Sequence, residues 1–281
     1  MARRFRDEFR FPLVYDCHDL LSGFQNISGD ILTAESELLS KADLVLFSSQ
    51  GLADRYHGVR RWLLVRNAVT SSHFEAASRT AAVSPRPAGT DGLTAGYLGA
   101  LDSWFDIEAV EQSAALHPQC RFILAGRVEY EPIWRLKSLP NVDFTGEISY
   151  DRVPGLLSQW GVGLIPFRIN PLTLMTNPIK LYEYFSCGLP VVSTALPEAQ
   201  AMGDLVYLAG TPADFAQQVT QALSEDDPSR RARRREIAGR ESWTERAREI
   251  SRSFPELLDA DIPAQKPAIQ AGFPQFPHLN P

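Results

Sequence analysis

The chain has 281 residues, 44 % of them hydrophobic and 22 % charged, which is enough apolar surface for one large domain or two ordinary ones. Its 28 basic and 34 acidic residues give a net charge of −6, which argues against nucleic-acid binding through a basic face. Three widely spaced cysteines, Cys17, Cys120 and Cys187, form neither a disulfide framework nor a zinc ribbon and fit a reducing, cytoplasmic compartment. No apolar run approaches the ~18 residues of a membrane span.

The first eleven residues carry arginines with no apolar stretch behind them, so they are not a secretory signal. They read as an amphipathic surface helix, with a presequence or a membrane-surface helix as alternatives. Three short apolar runs follow as strands: Pro12–Tyr15, Asp43–Ser48 and Trp62–Arg66. Between the first two, Ile31, Ala34, Leu38 and Ala42 place a helical stripe on 30–41, and Gln50–Tyr56 is a second helix. Residues 76–93, rich in Ala, Ser, Pro and Gly, read as a linker.

Beyond the linker, strands at Thr94–Ala100, Arg121–Ala125, Val142–Thr145, Val162–Pro166, Leu189–Ser193 and Leu205–Leu208 alternate with helices of about ten residues. One helix opens at Ser103–Asp106 with capping-box spacing. Another starts at Ser149 or Asp151, and others cover Asn177–Cys187 and Pro212–Leu223. That alternation predicts a parallel sheet covered on both faces, with ligands bound outside the carboxyl ends of its strands. From residue 259 proline recurs without period, which reads as a disordered tail.

The segment Thr176–Ser193 (TNPIKLYEYFSCGLPVVS) carries the chemistry. Asn177 has the character of an N-cap, Pro178 of a first helical residue, and Gly188 of a left-handed C-terminal residue. The open N–H groups of such a helix start favour an anion, and Lys180 adds a point charge. Glu183, on the same face one turn on, is an acceptor suited to a ribose diol. The competing reading is an exposed Lys180–Glu183 pair worth ~0.2–0.5 kcal/mol.

This segment resembles the donor-binding helix of GT-B glycosyltransferases, especially retaining bacterial enzymes of family 4. The match rests on Lys180, Leu181, Glu183, Gly188, Pro190, Val191 and Val192. Gly96–Asp106 is similar to the first strand and turn of the C-terminal domain in a subgroup that includes teichuronic-acid-type transferases. There the Gly99–Ala100 turn lets backbone approach the donor phosphates. Phe122–Arg127, Leu139–Gly146 and Asp204–Leu208 resemble later strands, and Ser242–Trp243 the start of a helix crossing back to the N-terminal domain. The likeness covers about residues 12–258. In many relatives a second Glu stands eight positions before the ribose-binding one; here that residue is Met175. Thr176, Asn177 and Lys180 are its expected replacement.

The resemblance implies an α/β, GT-B-like chain of two Rossmann-like domains with parallel sheets, the N-terminal one truncated. The expected organisation is a partial acceptor-side domain (1–75), the linker (76–93), a nucleotide-sugar domain (94–241), a crossing helix (242–258) and the tail (259–281). It implies transfer of a sugar from a nucleotide-diphosphate donor to a glycan or lipid-linked acceptor, retaining, without metal or cofactor. Gly99, Arg127, Thr176, Asn177, Lys180 and Glu183 are the donor-side candidates, with Arg168 a weaker one. Asp19 or His18, at the end of the first strand, is the candidate on the acceptor side; capping of loops is the alternative for Asp19. Asn67, in Val65–Val69, matches a hinge motif and reads as structural. Localisation is expected to be cytoplasmic, with the inner membrane face as an extension. The N-terminal half is roughly 90 residues short of an ordinary partner domain. A start further upstream, a partner chain supplying the missing half, or an inactive nucleotide-sugar-binding relative would each account for that. A GT-B-fold nucleotide-sugar epimerase is the remaining alternative.

Overall fold

The computed structural model describes residues 11–74 and 93–258. The expected N-terminal helix, nearly all of the linker and the Pro-rich tail lie outside the described residues.

The first half is built on β1 (Val14–Cys17), α1 (Gly29–Lys41), β2 (Leu44–Phe47), α2 (Gln50–Arg55) and β3 (Trp62–Leu64). Its three strands pair in parallel in the order β1-β2-β3. Every residue of β2 is buried, as a central parallel strand covered on both faces requires. The face that α1 buries differs from the expected stripe: Glu35 and Leu39 are inside, whereas Ile31 is 45 % exposed. Glu35 turns inward because the Tyr15 hydroxyl of β1 donates to it at 3.2 Å. Apolar spacing alone does not foresee a buried carboxylate.

The second half contains β4 (Thr94–Leu98), α3 (Ile107–Leu116), β5 (Arg121–Ala125), β6 (Val142–Gly146), α4 (Val153–Leu157) and β7 (Val162–Ile165). After these come α5 (Pro171–Leu174), α6 (Ile179–Ser186), β8 (Val191–Thr194), α7 (Pro197–Gln200), β9 (Val206–Ala209) and α8 (Pro212–Leu223). Its six strands are all parallel, in the order β6-β5-β4-β7-β8-β9. Chain direction across the sheet reverses between β4 and β7, and the crevice of a doubly wound sheet opens at that switch point. α3 begins at Asp106, whose carboxylate accepts from the Ala109 N–H at 3.1 Å. The cap is therefore three residues beyond the expected Ser103.

Two further helices return the chain. α9 (Pro228–Arg240) packs on α6, and α10 (Trp243–Leu258) crosses to the first half. There Ile250 packs with Val14, Leu44, Leu46, Leu63 and Val65. The Arg246 guanidinium donates to the Arg66 carbonyl at 2.8 Å. α9 has no counterpart among the expected elements. Its Arg234 is fully buried and held by two hydrogen bonds to Glu225, at 2.5 and 2.7 Å, and one to the Leu205 carbonyl at 3.0 Å. A buried guanidinium is tolerated here because a carboxylate and a carbonyl satisfy it together.

Candidate donor site between the two halves

At the switch point β4 and β7 pair only over Ala95–Gly96 and Val162–Gly163 before diverging. Tyr184 of α6 fills the gap. Its hydroxyl accepts from the Leu98 N–H at 3.0 Å and donates to the Leu164 carbonyl at 3.3 Å. This tyrosine thereby satisfies backbone groups that the parting strands leave unpaired, and it fixes α6 across the crevice.

That anchoring lays Lys180 over the turn after β4. Gly99 has φ 137°, and a Cβ there would stand 2.3 Å from Lys180 Cε and 2.7 Å from its Nζ. A side chain at 99 would displace the lysine, so glycine is required for the close approach as well as the backbone angle. Gly126, after β5, abuts the same turn: its Cβ would lie 1.9 Å from the Gly99 carbonyl oxygen. The Lys180 pKa is lowered by burial, an effect opposed by Glu183 and Asp19.

Glu183, one turn along α6, is 7 % exposed. Its carboxylate makes no hydrogen bond among the described residues. Burial raises its pKa to about 7, while Lys180 and His73 pull it back down. His73 belongs to the segment that follows β3. Its ring stacks on Tyr150 at 4.7 Å, and its Nε2 lies 3.0 Å from the Tyr150 carbonyl oxygen. Glu183 therefore stands beside a histidine–tyrosine stack that joins the two halves, which the sequence reading did not foresee.

A cavity of about 290 Å³ opens on the other side of Lys180, lined among others by His18, Asp19, Ala100, Thr176 and Lys180. That is the low end of ligand-pocket volumes, ~300–1,000 Å³, and suits part of a nucleotide-sugar rather than all of it. Asp19 lies beyond the end of β1. Burial raises its pKa, with His18 and Lys180 pulling it down. Its carboxylate accepts no hydrogen bond among the described residues. The His18 carbonyl is held by the Ser48 hydroxyl, which ties this loop to the end of β2. The Thr176 hydroxyl donates to the Leu172 carbonyl at 2.9 Å and keeps its lone pairs for another donor.

Two expected donor-site residues are engaged by other protein groups, and of these Asn177 still lines the cavity. Asn177 does not cap α6, which starts at Ile179 behind Pro178 with no side-chain cap. Its amide is spent between the halves. Oδ1 accepts from the Asn67 N–H at 2.9 Å, and Nδ2 donates to the Tyr182 hydroxyl and to Glu198, both at 3.0 Å. Asn67 returns a bond to the Asn177 carbonyl at 2.6 Å, in keeping with its structural reading. Glu198 of α7 also accepts from the Gln50 N–H at 2.9 Å and from Arg66 at 2.7 Å. Arg127 is 66 % exposed and pairs with Glu129 and Glu147. It does not line the cavity, because surface carboxylates hold it outward. Arg168 is likewise exposed, its N–H bonded to the Trp104 carbonyl at 2.8 Å. Met175 packs into the first half's core, and its carbonyl accepts from Ser49 at 2.6 Å.

A parallel sheet of this strand order, a lysine-topped glycine turn at its switch point and a second parallel sheet across the cleft define a chain of the GT-B fold. Residues 94–225 match the model of the family "Glycosyl transferases group 1". Among individual proteins, the chain is 27 % identical over 256 residues to TuaH of Bacillus subtilis (strain 168), whose assignment as a teichuronic acid biosynthesis glycosyltransferase is itself inferred. The match covers 82 % of this chain and 64 % of TuaH, so the chain spans just under two thirds of that relative. Of solved structures, Anabaena HepE in complex with UDP and glucose superposes with a TM-score of 0.69 at 19 % identity, over 89 % of this chain and 73 % of that one. Sucrose-phosphate synthase from Thermosynechococcus elongatus gives 0.72 at 19 % identity, over 91 % and 70 %.

Proposed function

We propose that this chain transfers a sugar from a nucleotide-diphosphate-sugar donor to a glycan or lipid-linked acceptor. The carrying observation is the pairing on α6 of Lys180, laid over the Gly99 turn, with a buried Glu183 that has no hydrogen-bond partner among the described residues. A diphosphate at the helix start and a ribose one turn on use both groups at once. The solved neighbours named for UDP and glucose support the same ligand class.

In the reaction the acceptor oxygen replaces the diphosphate oxygen at the anomeric carbon. Negative charge grows on the departing diphosphate, where Lys180 and the open N–H groups of α6 stabilise it. These cationic and dipolar groups are the basis for expecting no metal requirement. Asp19, raised in pKa by burial, would orient the acceptor hydroxyl or take its proton, with His18 as the alternative. Retention at the anomeric carbon follows the family resemblance. No helix among the described residues is long and apolar enough to cross a membrane.

The test is thermal unfolding of the purified chain with UDP, GDP, ADP or dTDP. Ligand at 100 times Kd adds ~2.7 kcal/mol to a folded binding domain. Stabilisation by one nucleotide, lost in Glu183→Ala, supports the reading. A cooperative melt that no nucleotide shifts overturns it.

A further inference from the structure

The cavity beside Lys180 is lined by both polar and aromatic side chains. Phe24 from the first half and Trp104 and Phe167 from the second line it, together with Leu172. Phe24 and Trp104 meet edge to face at 6.1 Å, so one ring from each half closes the pocket. Both are held from behind. Phe24 follows Gly23, where a Cβ would stand 2.7 Å from the Leu172 Cβ, so the two halves touch there backbone to side chain. Trp104 is pinned by its carbonyl, which accepts from the Arg168 N–H at 2.8 Å, and the next turn by the Asp106 N–H on the Pro166 carbonyl at 2.7 Å. Its indole N–H faces the Tyr97 hydroxyl. That hydroxyl lies 3.3 Å from the point above Gly99 that Lys180 Cε approaches to 2.3 Å. Trp104 is thus one residue layer from the ammonium proposed to hold the diphosphate.

We propose that Phe24 and Trp104 form an aromatic clasp for the transferred sugar, and that Trp104 is a specificity-determining residue for that ring. The inference rests on the donor-site reading above and extends it to the group being moved. A pyranose carries hydroxyls around its rim and C–H groups on its faces. An aromatic face, negative in its quadrupole, accepts those C–H groups. Asp19 and Thr176, which line the same cavity, meet rim hydroxyls. The position before Thr176 offers no acceptor of its own, since Met175 packs away into the core. A hexose uncharged on the stacked face suits this pocket. A carboxylate against the rings would be desolvated without a partner.

Calorimetry of nucleotide against nucleotide-hexose separates the clasp from the rest of the site. The probes are UDP with UDP-glucose, GDP with GDP-mannose, ADP with ADP-glucose, and dTDP with dTDP-glucose, on wild type, Trp104→Ala, Trp104→Phe and Phe24→Ala. The expected result is that Trp104→Ala leaves the nucleotide's affinity unchanged and removes about two- to tenfold of the gain from the hexose. Trp104→Phe keeps part of that gain, and Phe24→Ala follows Trp104→Ala. Equal weakening of nucleotide and nucleotide-hexose overturns the clasp, as does no change in either, or a wild type that gains nothing from any hexose. A wild type that binds hexose conjugates through the clasp but ignores Glu183→Ala overturns only the ribose reading. A wild type that binds no nucleotide at all overturns both.

Discussion

Replacing Glu183 by Gln keeps the shape of the side chain and removes its charge. In the native chain burial lifts the Glu183 pKa from 4.5 to about 7. A raised carboxyl pKa means that the folded state holds the proton more tightly than the unfolded one. The associated stability is complete below about pH 4.5 and is lost as the pH rises through about 7. At ~1.36 kcal/mol per pH unit the difference comes to roughly 3 kcal/mol. At pH 8 the unliganded protein therefore carries a buried carboxylate whose desolvation nothing offsets in full. Glu183→Gln should raise stability at pH 8 by about 1–3 kcal/mol, the lower end reflecting a Lys180 left without its counter-charge. For a chain of this size that is a rise in Tm of about 2–10 °C, and at pH 5 the two proteins should melt together. The same variant should lose the nucleotide-induced shift, because a diol needs the ionised acceptor. In the wild type nucleotide affinity should fall by about tenfold between pH 8 and pH 6. Thermal melts from pH 5 to 8, with and without nucleotide, read all of this. A Gln variant less stable than wild type at pH 8, or one with an unchanged pH profile, refutes the argument.

Lys180→Met should weaken nucleotide binding about 10- to 100-fold, the worth of a charge-assisted contact of ~1.5–3 kcal/mol, as measured by calorimetry. Asp19→Asn should leave nucleotide affinity within about twofold while abolishing sugar transfer, so a nucleotide-hexose turnover assay separates it from Lys180→Met. Arg127→Ala should change stability by less than about 0.5 kcal/mol and leave nucleotide binding intact, because its partners are surface carboxylates; tenfold weaker binding would show that it turns inward on the ligand. Glu198→Ala removes an acceptor shared by Gln50, Arg66 and Asn177 and should cost about 3 kcal/mol in urea unfolding. A loss under 1 kcal/mol would mean the halves do not depend on that junction.

The strands of the second sheet were legible because fully buried parallel strands such as Val162–Ile165 read as apolar runs. The helix carrying Lys180 and Glu183 was legible through its ending: Gly188 does take the left-handed conformation, φ 72°. Its beginning was misread, since cap preference knows nothing of Asn67 and Glu198, more than twenty residues away or farther in sequence. α9 escaped notice because six arginines in thirteen residues hide any apolar stripe; its burial is ionic, through Arg234 and Glu225. Lys180, Glu183, Asp19, His18, Thr176 and Gly99 carried enough local pattern to be singled out as candidates, and they lie around one crevice. Phe24, Phe167, His73 and Tyr150 did not, because their meaning comes from facing the opposite half. Trp104 lay inside a recognised turn and still gave no hint of its neighbour.

The junction of Asn67, Asn177 and Glu198 also sets how the molecule can breathe. Its buried hydrogen bonds join the halves at one corner of the crevice, next to the first residues of α6. At Phe24 the halves meet through apolar contacts, Phe24 on Trp104 and Gly23 on Leu172, which hold less tightly than a set of buried polar bonds. A motion that spares the strong corner and parts the weak one is a rotation about a pivot, not a separation. The helix that would grip the nucleotide sits at the still point of that rotation, and the wall against the sugar sits at its moving rim. Such a hinge would let the carbohydrate end of the crevice exchange its contents while the nucleotide end keeps its grip.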